Sequence, residues 1–240
     1  FANADAQNSV SFNGFTSKTD ADILVGARRF DIYLPWITGK KVAIVANHTS
    51  LVGKTHLVDT LLAQKINVRK IFCPEHGFRG DGDAGEHIKN QKDIKSGLPV
   101  ISLYGEHKKP TIKDLEGIDV VIFDLQDVGV RFFTYISTMS YVMEACAEQK
   151  KTVIILDRPN PNGHYVDGPV LESAYKSFVG LHPVPIVHGM TIAEYARMVN
   201  GEGWLKNGVR CELKYVLCSG YTHNDLYQLP VKPSPNLSTM

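Results

Sequence analysis

The chain has 240 residues, with 26 basic and 25 acidic side chains and a formal net charge of +1. That balance offers no basic face to nucleic acid or to an anionic bilayer, and no apolar run approaches the roughly 20 residues that span a membrane as a helix. An apolar share of 43% is enough for a sizeable core, in one large domain or in one domain and part of another.

Residues 1–21 are polar, rich in Asn, Ser, Asp and Ala, and read as the N-terminal tail of a processed or trimmed chain. Residues 22–30 place apolar side chains at helical spacing, with Asp20 or Asp22 as N-cap. Residues 41–47 are a β-branched run, so a strand, leading into His48, Thr49 and Ser50. Helical periodicity follows over 55–64 through Leu57, Val58, Leu61 and Leu62. A second strand is predicted over 68–73. It stops at Pro74, and Glu75, His76 and Arg79 then fall in one loop bounded by Gly77 and Gly80. Residues 81–96 have no sustained period and read as a long loop, a feature that is usually functional in a compact domain.

Further strands are predicted over 98–103 and 118–125, the latter almost wholly apolar, as for a strand covered on both faces. It runs into Gln126 and Asp127. The strongest helix spans 133–149, with Tyr135, Met139, Val142, Met143 and Cys146 on one stripe. A fifth strand over 152–156 ends in Asp157, Arg158 and Asn160. A short sixth strand is predicted over 184–187, before His188. Thr191 then caps a helix carrying Ile192, Tyr195 and Met198 on its core face, and residues 211–217 form a last strand. Residues 233–240 close no element and read as a linker or the start of a second, smaller domain, leaving 22–232 as the main one. Strands alternating with helices predict an α/β protein with a mostly parallel, doubly wound sheet.

The four cysteines form no CxxC pair, which removes zinc-ribbon and thioredoxin-like readings. Cys73 and Cys146 suit a core, and a Cys211–Cys218 bridge is left open. His56, His87, His107, His164, His182 and His223 read as surface or loop residues.

A parallel sheet gathers the C-terminal ends of its strands on one edge, where ligands of open α/β sheets bind. Those ends carry His48; Glu75 with His76 and Arg79; Asp124 with Gln126 and Asp127; Asp157 with Arg158 and Asn160; and His188. So many loaded strand ends favour an active site, although Asp157 and Asn160 equally suit helix capping. Glu75 is the expected central catalytic carboxylate. A glycosidase uses one carboxylic acid to protonate the leaving oxygen and a second carboxylate as nucleophile or base. Glu75 is read as the acid. Asp127 and Glu172 are the candidates for the second group, with Asp124 behind them because its buried run suits a paired structural acid. Arg131 and Arg158 either grip a substrate carboxylate with both prongs or neutralise these acids.

Two rival signals exist. His48 to Thr55 lies between a strand and a helix like a phosphate-binding P-loop, but His48 stands where that fingerprint requires Gly. His48, His76 and Asp124 or Asp157 are types a divalent metal accepts, yet no HxH or HExxH spacing supports a metal-dependent hydrolase.

Pro74-Glu75-His76-Gly77-Phe78-Arg79-Gly80, the stretch from Val121 to Tyr135 (VIFDLQDVGVRFFTY) and Leu156-Asp157-Arg158-Pro159-Asn160-Pro161 resemble motifs of the exo-β-N-acetylmuramidase family, formerly DUF1343. Gly168 to Glu172 and Pro233 to Asn236 also fit. The resemblance implies an exported bacterial enzyme that takes N-acetylmuramic acid from the non-reducing ends of peptidoglycan fragments; no cofactor is expected. It implies a Rossmann-like N-terminal domain and a smaller C-terminal one with a cleft between them. It assigns the catalytic role to Glu75 and lines the cleft with His76, Asp127, Arg131, Tyr135, Asp157 and Arg158. A binding module that keeps the cleft without turnover is the non-enzymatic alternative.

Overall fold

The computed structural model describes residues 11–12, 15–19, 21–75, 77–79 and 91–234. A seven-stranded sheet runs through its middle. Its strands are β1 (Val42–Ala46), β2 (Val68–Cys73), β3 (Gln91–Lys92), β4 (Pro99–Ser102), β5 (Val120–Asp124), β6 (Thr152–Leu156) and β7 (Glu212–Val216). They lie in the order β7-β6-β5-β1-β2-β4-β3. Every pair is parallel except β3 with β4. The chain builds outward from β1 through β2 to β4, then returns to the other side of β1 to add β5, β6 and β7. The winding therefore reverses between β1 and β5, and in such sheets a crevice opens beyond the strand ends at that point.

All five residues of β1 and of β5 are buried, because helices cover both faces of the sheet. Successive side chains alternate between those faces. Ala43, Val45, Val121, Phe123, Val153 and Ile155 meet α3 (Tyr135–Glu148) and α4 (Ile192–Glu202). Val42, Ile44, Ala46, Ile122 and Ile154 meet α1 (Phe30–Ile37) and α2 (Leu57–Ala63). Each such fully buried Val, Ile or Phe side chain contributes about 1.5–3 kcal/mol. At the start of α4, Thr191 and Glu194 form a reciprocal capping box.

Several expectations need correction. Residues 22–30 do not form a helix: Leu24 bridges Ser219, a 3-10 turn covers Gly26–Arg28, and α1 starts only at Phe30. Gly26 lies flat against the backbone of Val216 and Asp157, where a side chain would collide, so this stretch is tied to the sheet instead of coiling. Residues 184–187 give only isolated bridges, from Val187 to Val130 and Asp167, because Pro183 and Pro185 supply no N–H to a ladder. Part of the expected N-terminal tail, Phe15–Lys18, is a strand that pairs with Ser11–Phe12 and Asp225–Tyr227. Lys18 Nζ secures it to Asp225 at 3.0 Å. Residues 81–90 of the expected long loop lie outside the described residues.

His56 and His182 are buried, not on the surface. The His56 ring donates from Nε2 to the Asn47 carbonyl at 2.8 Å while Nδ1 accepts the Val58 amide. His182 stacks on Trp204 and meets the Tyr195 hydroxyl at 3.2 Å. All four thiols are free. Among the described residues no helix is long and apolar enough to cross a membrane.

Candidate active site

Pairing places Val45 beside both Phe72 and Phe123, so the tips of β2, β1 and β5 emerge level with one another. At the tip of β1 the turn over 47–50 is stitched to itself. Asn47 Oδ1 accepts the Thr49 amide and hydroxyl at 2.9 and 2.6 Å, and the Asn47 amide donates to Ser50 Oγ at 3.0 Å. The Ser50 amide reaches the Asn47 carbonyl at 3.0 Å. A P-loop needs these amides free for a phosphate; here they are engaged, and that rival reading has no structural support. His48 points its Nε2 at the Lys232 carbonyl, 2.7 Å away, while Nδ1 is buried without a partner.

Glu75 stands at the tip of β2, half-buried, and accepts a hydrogen bond from the Tyr104 hydroxyl. Arg79 does not pair with it. Its guanidinium binds Asp93 at 2.7 and 2.9 Å and Asp59 at 3.2 Å, and those bonds hold the Asp93 carboxyl well below the usual carboxylate range. Arg79 thus anchors the loop that follows Glu75, in place of the substrate contact expected for it. His76 lies outside the described residues.

Asp127, beyond the tip of β5, is buried. Its Oδ2 accepts the Gly129 amide at 2.7 Å, and its Oδ1 has no partner. Burial pushes this carboxyl up to about 7. His188 Nε2 is 3.9 Å from Asp127 Oδ2, also buried and without a hydrogen-bond partner. Burial brings the His188 ring down to about 4. Tyr135, at the start of α3, links the two carboxyl sites. Its hydroxyl accepts the Asn47 side-chain amide at 2.8 Å and donates to the Pro233 carbonyl at 3.2 Å. Burial first, then the charges of Glu75 and Asp127, push that phenol well above its ordinary range.

Four further candidates, Arg158, Gln126, Asp157 and Asn160, are bonded to the scaffold. Arg158 grips Asp124 with both prongs at 2.6 and 2.9 Å and donates to the Leu51 carbonyl at 3.0 Å. Gln126 ties the β5 tip to the β6 tip through the Pro159 carbonyl at 2.7 Å. Asp157 accepts the Ala193 amide at 3.0 Å in the first turn of α4, and burial raises its carboxyl to about 7. Asn160 bonds to the Met190 carbonyl and the Asn162 amide at 2.9 and 2.8 Å. Glu172 is exposed in the loop between β6 and α4, before the 3-10 turn Ser173–Tyr175, and among the described residues no bond joins it to the other candidates. Arg131 donates from Nη1 to the carbonyls of Pro169 and Val184 at 2.9 and 2.6 Å. Among the described residues it makes no ion pair, and none of them form a group of three His, Cys, Asp or Glu side chains suited to a metal.

The structure therefore brings together Glu75, Tyr135, Asp127 and His188, with His48 beside them at the β1 tip. Asn47 and Tyr104 join this group and were missed by sequence reasoning. The only signal for either was its place at the end of a predicted strand, Asn47 as the last residue of one and Tyr104 directly after another.

These features define a doubly wound α/β protein with two carboxyl groups beyond the strand tips on either side of β1. The chain belongs to the family described as exo-beta-N-acetylmuramidase NamZ, N-terminal, whose model matches residues 42–240. Over 218 residues it is 43% identical to the peptidoglycan beta-N-acetylmuramidase NamZ of Bacillus subtilis (strain 168), covering 87% of this chain and 51% of that protein. Crystal structures of two DUF1343 family proteins from Bacteroides fragilis NCTC 9343 share the fold. One has a TM-score of 0.82 at 48% identity, covering 89% of this chain and 57% of that one. The other has a TM-score of 0.77 at 40% identity, covering 84% and 51%. The chain spans about half the length of these relatives.

Proposed function

We propose that the chain is the N-terminal part of an exo-acting glycoside hydrolase that removes β-linked N-acetylmuramic acid from the non-reducing ends of peptidoglycan fragments. The observation that carries this reading is the pair Glu75 and Asp127, two carboxyl groups in different surroundings on either side of the β1 tip. A glycosidase needs such a division between a group that gives a proton and one that takes a proton or attacks carbon. Family membership supplies the sugar. Muramic acid carries a fixed lactyl carboxylate, and Arg131, unpaired with any acid among the described residues, has the planar fork that reads such a group. By the same reading the protein acts outside the cytoplasm, in turnover or recycling of the wall. Recovery from the cytosol alone in cell fractionation would oppose that placement.

The test is hydrolysis of an aryl β-N-acetylmuramide by the intact protein and by Glu75→Gln. Removing one acid–base or nucleophilic group costs on the order of 10²–10⁴-fold, and that loss is expected. No aryl release by the unaltered protein, with muropeptides bound but uncleaved, would replace the enzyme by a binding module.

A further inference from the structure

We infer that Asp127 is the proton donor of the cleavage and Glu75 the base opposite it, with His188 the positioning residue that keeps the donor dry. This rests on the glycosidase reading and reverses the role that sequence reasoning gives Glu75.

The two carboxyl groups differ in what their oxygens meet. Glu75 is half-buried and accepts a phenol O–H from Tyr104, so a lone pair is already engaged by a donor. Asp127 has one oxygen filled by the Gly129 amide at 2.7 Å and the other, Oδ1, buried and empty-handed. A buried carboxyl oxygen with no donor aimed at it is best satisfied by carrying the hydrogen itself and giving it to a ligand. Burial works in the same direction, raising this group to about 7.

The backbone amides of Gly129 and Val128 favour the carboxylate, and burial outweighs them. From the loop before α4, His188 comes within 3.9 Å. Its Nδ1 accepts the Met190 amide at 3.3 Å, which leaves the ring hydrogen on Nε2, and burial keeps the ring neutral near pH 7. From α3 comes the phenol of Tyr135 and from α4 that of Tyr195, both held un-ionised chiefly by burial. Beyond these phenols lie the charges of Glu75, felt at Tyr135, and of Arg131, felt at Tyr195. Among the described residues no cation forms an ion pair with Asp127; the nearest ring, neutral His188, stays 3.9 Å away.

The step balances without a cofactor. Asp127 Oδ1 gives its proton to the glycosidic oxygen. The C1–O bond breaks with its electron pair on that oxygen, which departs as an alcohol. Water adds to C1 as a proton passes from it to the Glu75 carboxylate; Glu75 then releases that proton to solvent, and Asp127 takes one back from solvent. Because β1 lies between β2 and β5, the strands that lead to the two carboxyls run about 10 Å apart, two strand spacings.

Leaving-group dependence tests the assignment. A dinitrophenyl glycoside departs without a proton, whereas the muramyl–glucosaminyl disaccharide needs one. Asp127→Asn is expected to lose on the order of 10²–10⁴-fold on the disaccharide while keeping most of its rate on the dinitrophenyl substrate. Glu75→Gln is expected to fall on both. The opposite pattern makes Glu75 the donor and overturns the inference, leaving the glycosidase reading intact; an unaltered protein inactive on both substrates defeats that reading instead. The unaltered protein gives a second check that needs no variant: kcat/KM on the disaccharide falls as pH rises past about 7, and a flat profile there counts against Asp127. His188→Ala, which admits water to the carboxyl, moves that alkaline limb to lower pH. A lowered Tm with the limb unmoved assigns His188 to the scaffold alone.

Discussion

Arg158 and Asp124 meet through two bonds of 2.6 and 2.9 Å, with side-chain exposures of only 2% and 0%. Their strands are neighbours, and the pair bolts the β5 tip to the β6 tip beneath the site. Such a pair adds little over apolar packing, but breaking it leaves one charge buried and unanswered. Asp124→Ala or Arg158→Ala alone is expected to cost about 3–5 kcal/mol in urea unfolding. The double variant costs less than the sum of the two, since neither charge is then stranded. Additive losses would show that the two side chains act separately.

Arg79 sets the acid limit of stability. Its bonds hold the Asp93 carboxyl well below the ordinary range, so the folded state binds that proton less readily than the unfolded chain. The stabilisation is fully present above about pH 4, the ordinary aspartate value, and drains away as pH falls toward the depressed folded value. Arg79→Met, with Arg79 itself about a quarter exposed, is expected to cost about 1–2 kcal/mol at neutral pH. It also shifts the onset of acid unfolding upward. Thermal melts at a series of acid pH values check this; parallel curves for the two proteins would refute it.

Gly129 is the tightest joint near Asp127. Its φ is +76°, a region side chains avoid, and a Cβ there would sit inside the Asn160 side chain. Its amide also fills Asp127 Oδ2. Gly129→Ala is expected to cost about 2 kcal/mol or more and to depress kcat together with stability. Adding Asn160→Ala relieves the collision and recovers part of the loss in Tm. If the second change recovers nothing, the positive φ alone sets the cost.

Arg131 tests the sugar selectivity. Arg131→Ala is expected to lose rate on aryl β-N-acetylmuramide while gaining relative rate on the matching N-acetylglucosaminide, which lacks the lactyl carboxylate. A charged bidentate contact is worth about 1.5–3 kcal/mol, roughly 10–100-fold. An unchanged ratio between the two substrates removes Arg131 from recognition.

Much of the sheet was visible along the chain because its strands are short apolar runs closed by polar residues. The segment predicted over 152–156 is β6 to the residue, and Thr191 marked the start of α4. What stayed hidden depends on neighbours far along the chain. Phe15–Lys18 looks like a tail until Asp225–Tyr227 lies beside it. His182 looks like a loop histidine until Trp204 stacks on it. Arg158 was balanced between substrate and Asp124, and only the strand order, which puts β6 next to β5, decides for Asp124. Glu75 and Asp127 were both legible as strand-end acids. Their division of labour was not, since it turns on which oxygen each neighbour fills.

His48 and Tyr135 hold the carbonyls of Lys232 and Pro233 at 2.7 and 3.2 Å, across 184 and 98 residues of chain. The rim of the crevice is thus completed by a segment that leaves the ribosome after every strand of the sheet. A nascent chain stalled before that segment would have its sheet in place and its carboxyl groups assembled under an unfinished rim.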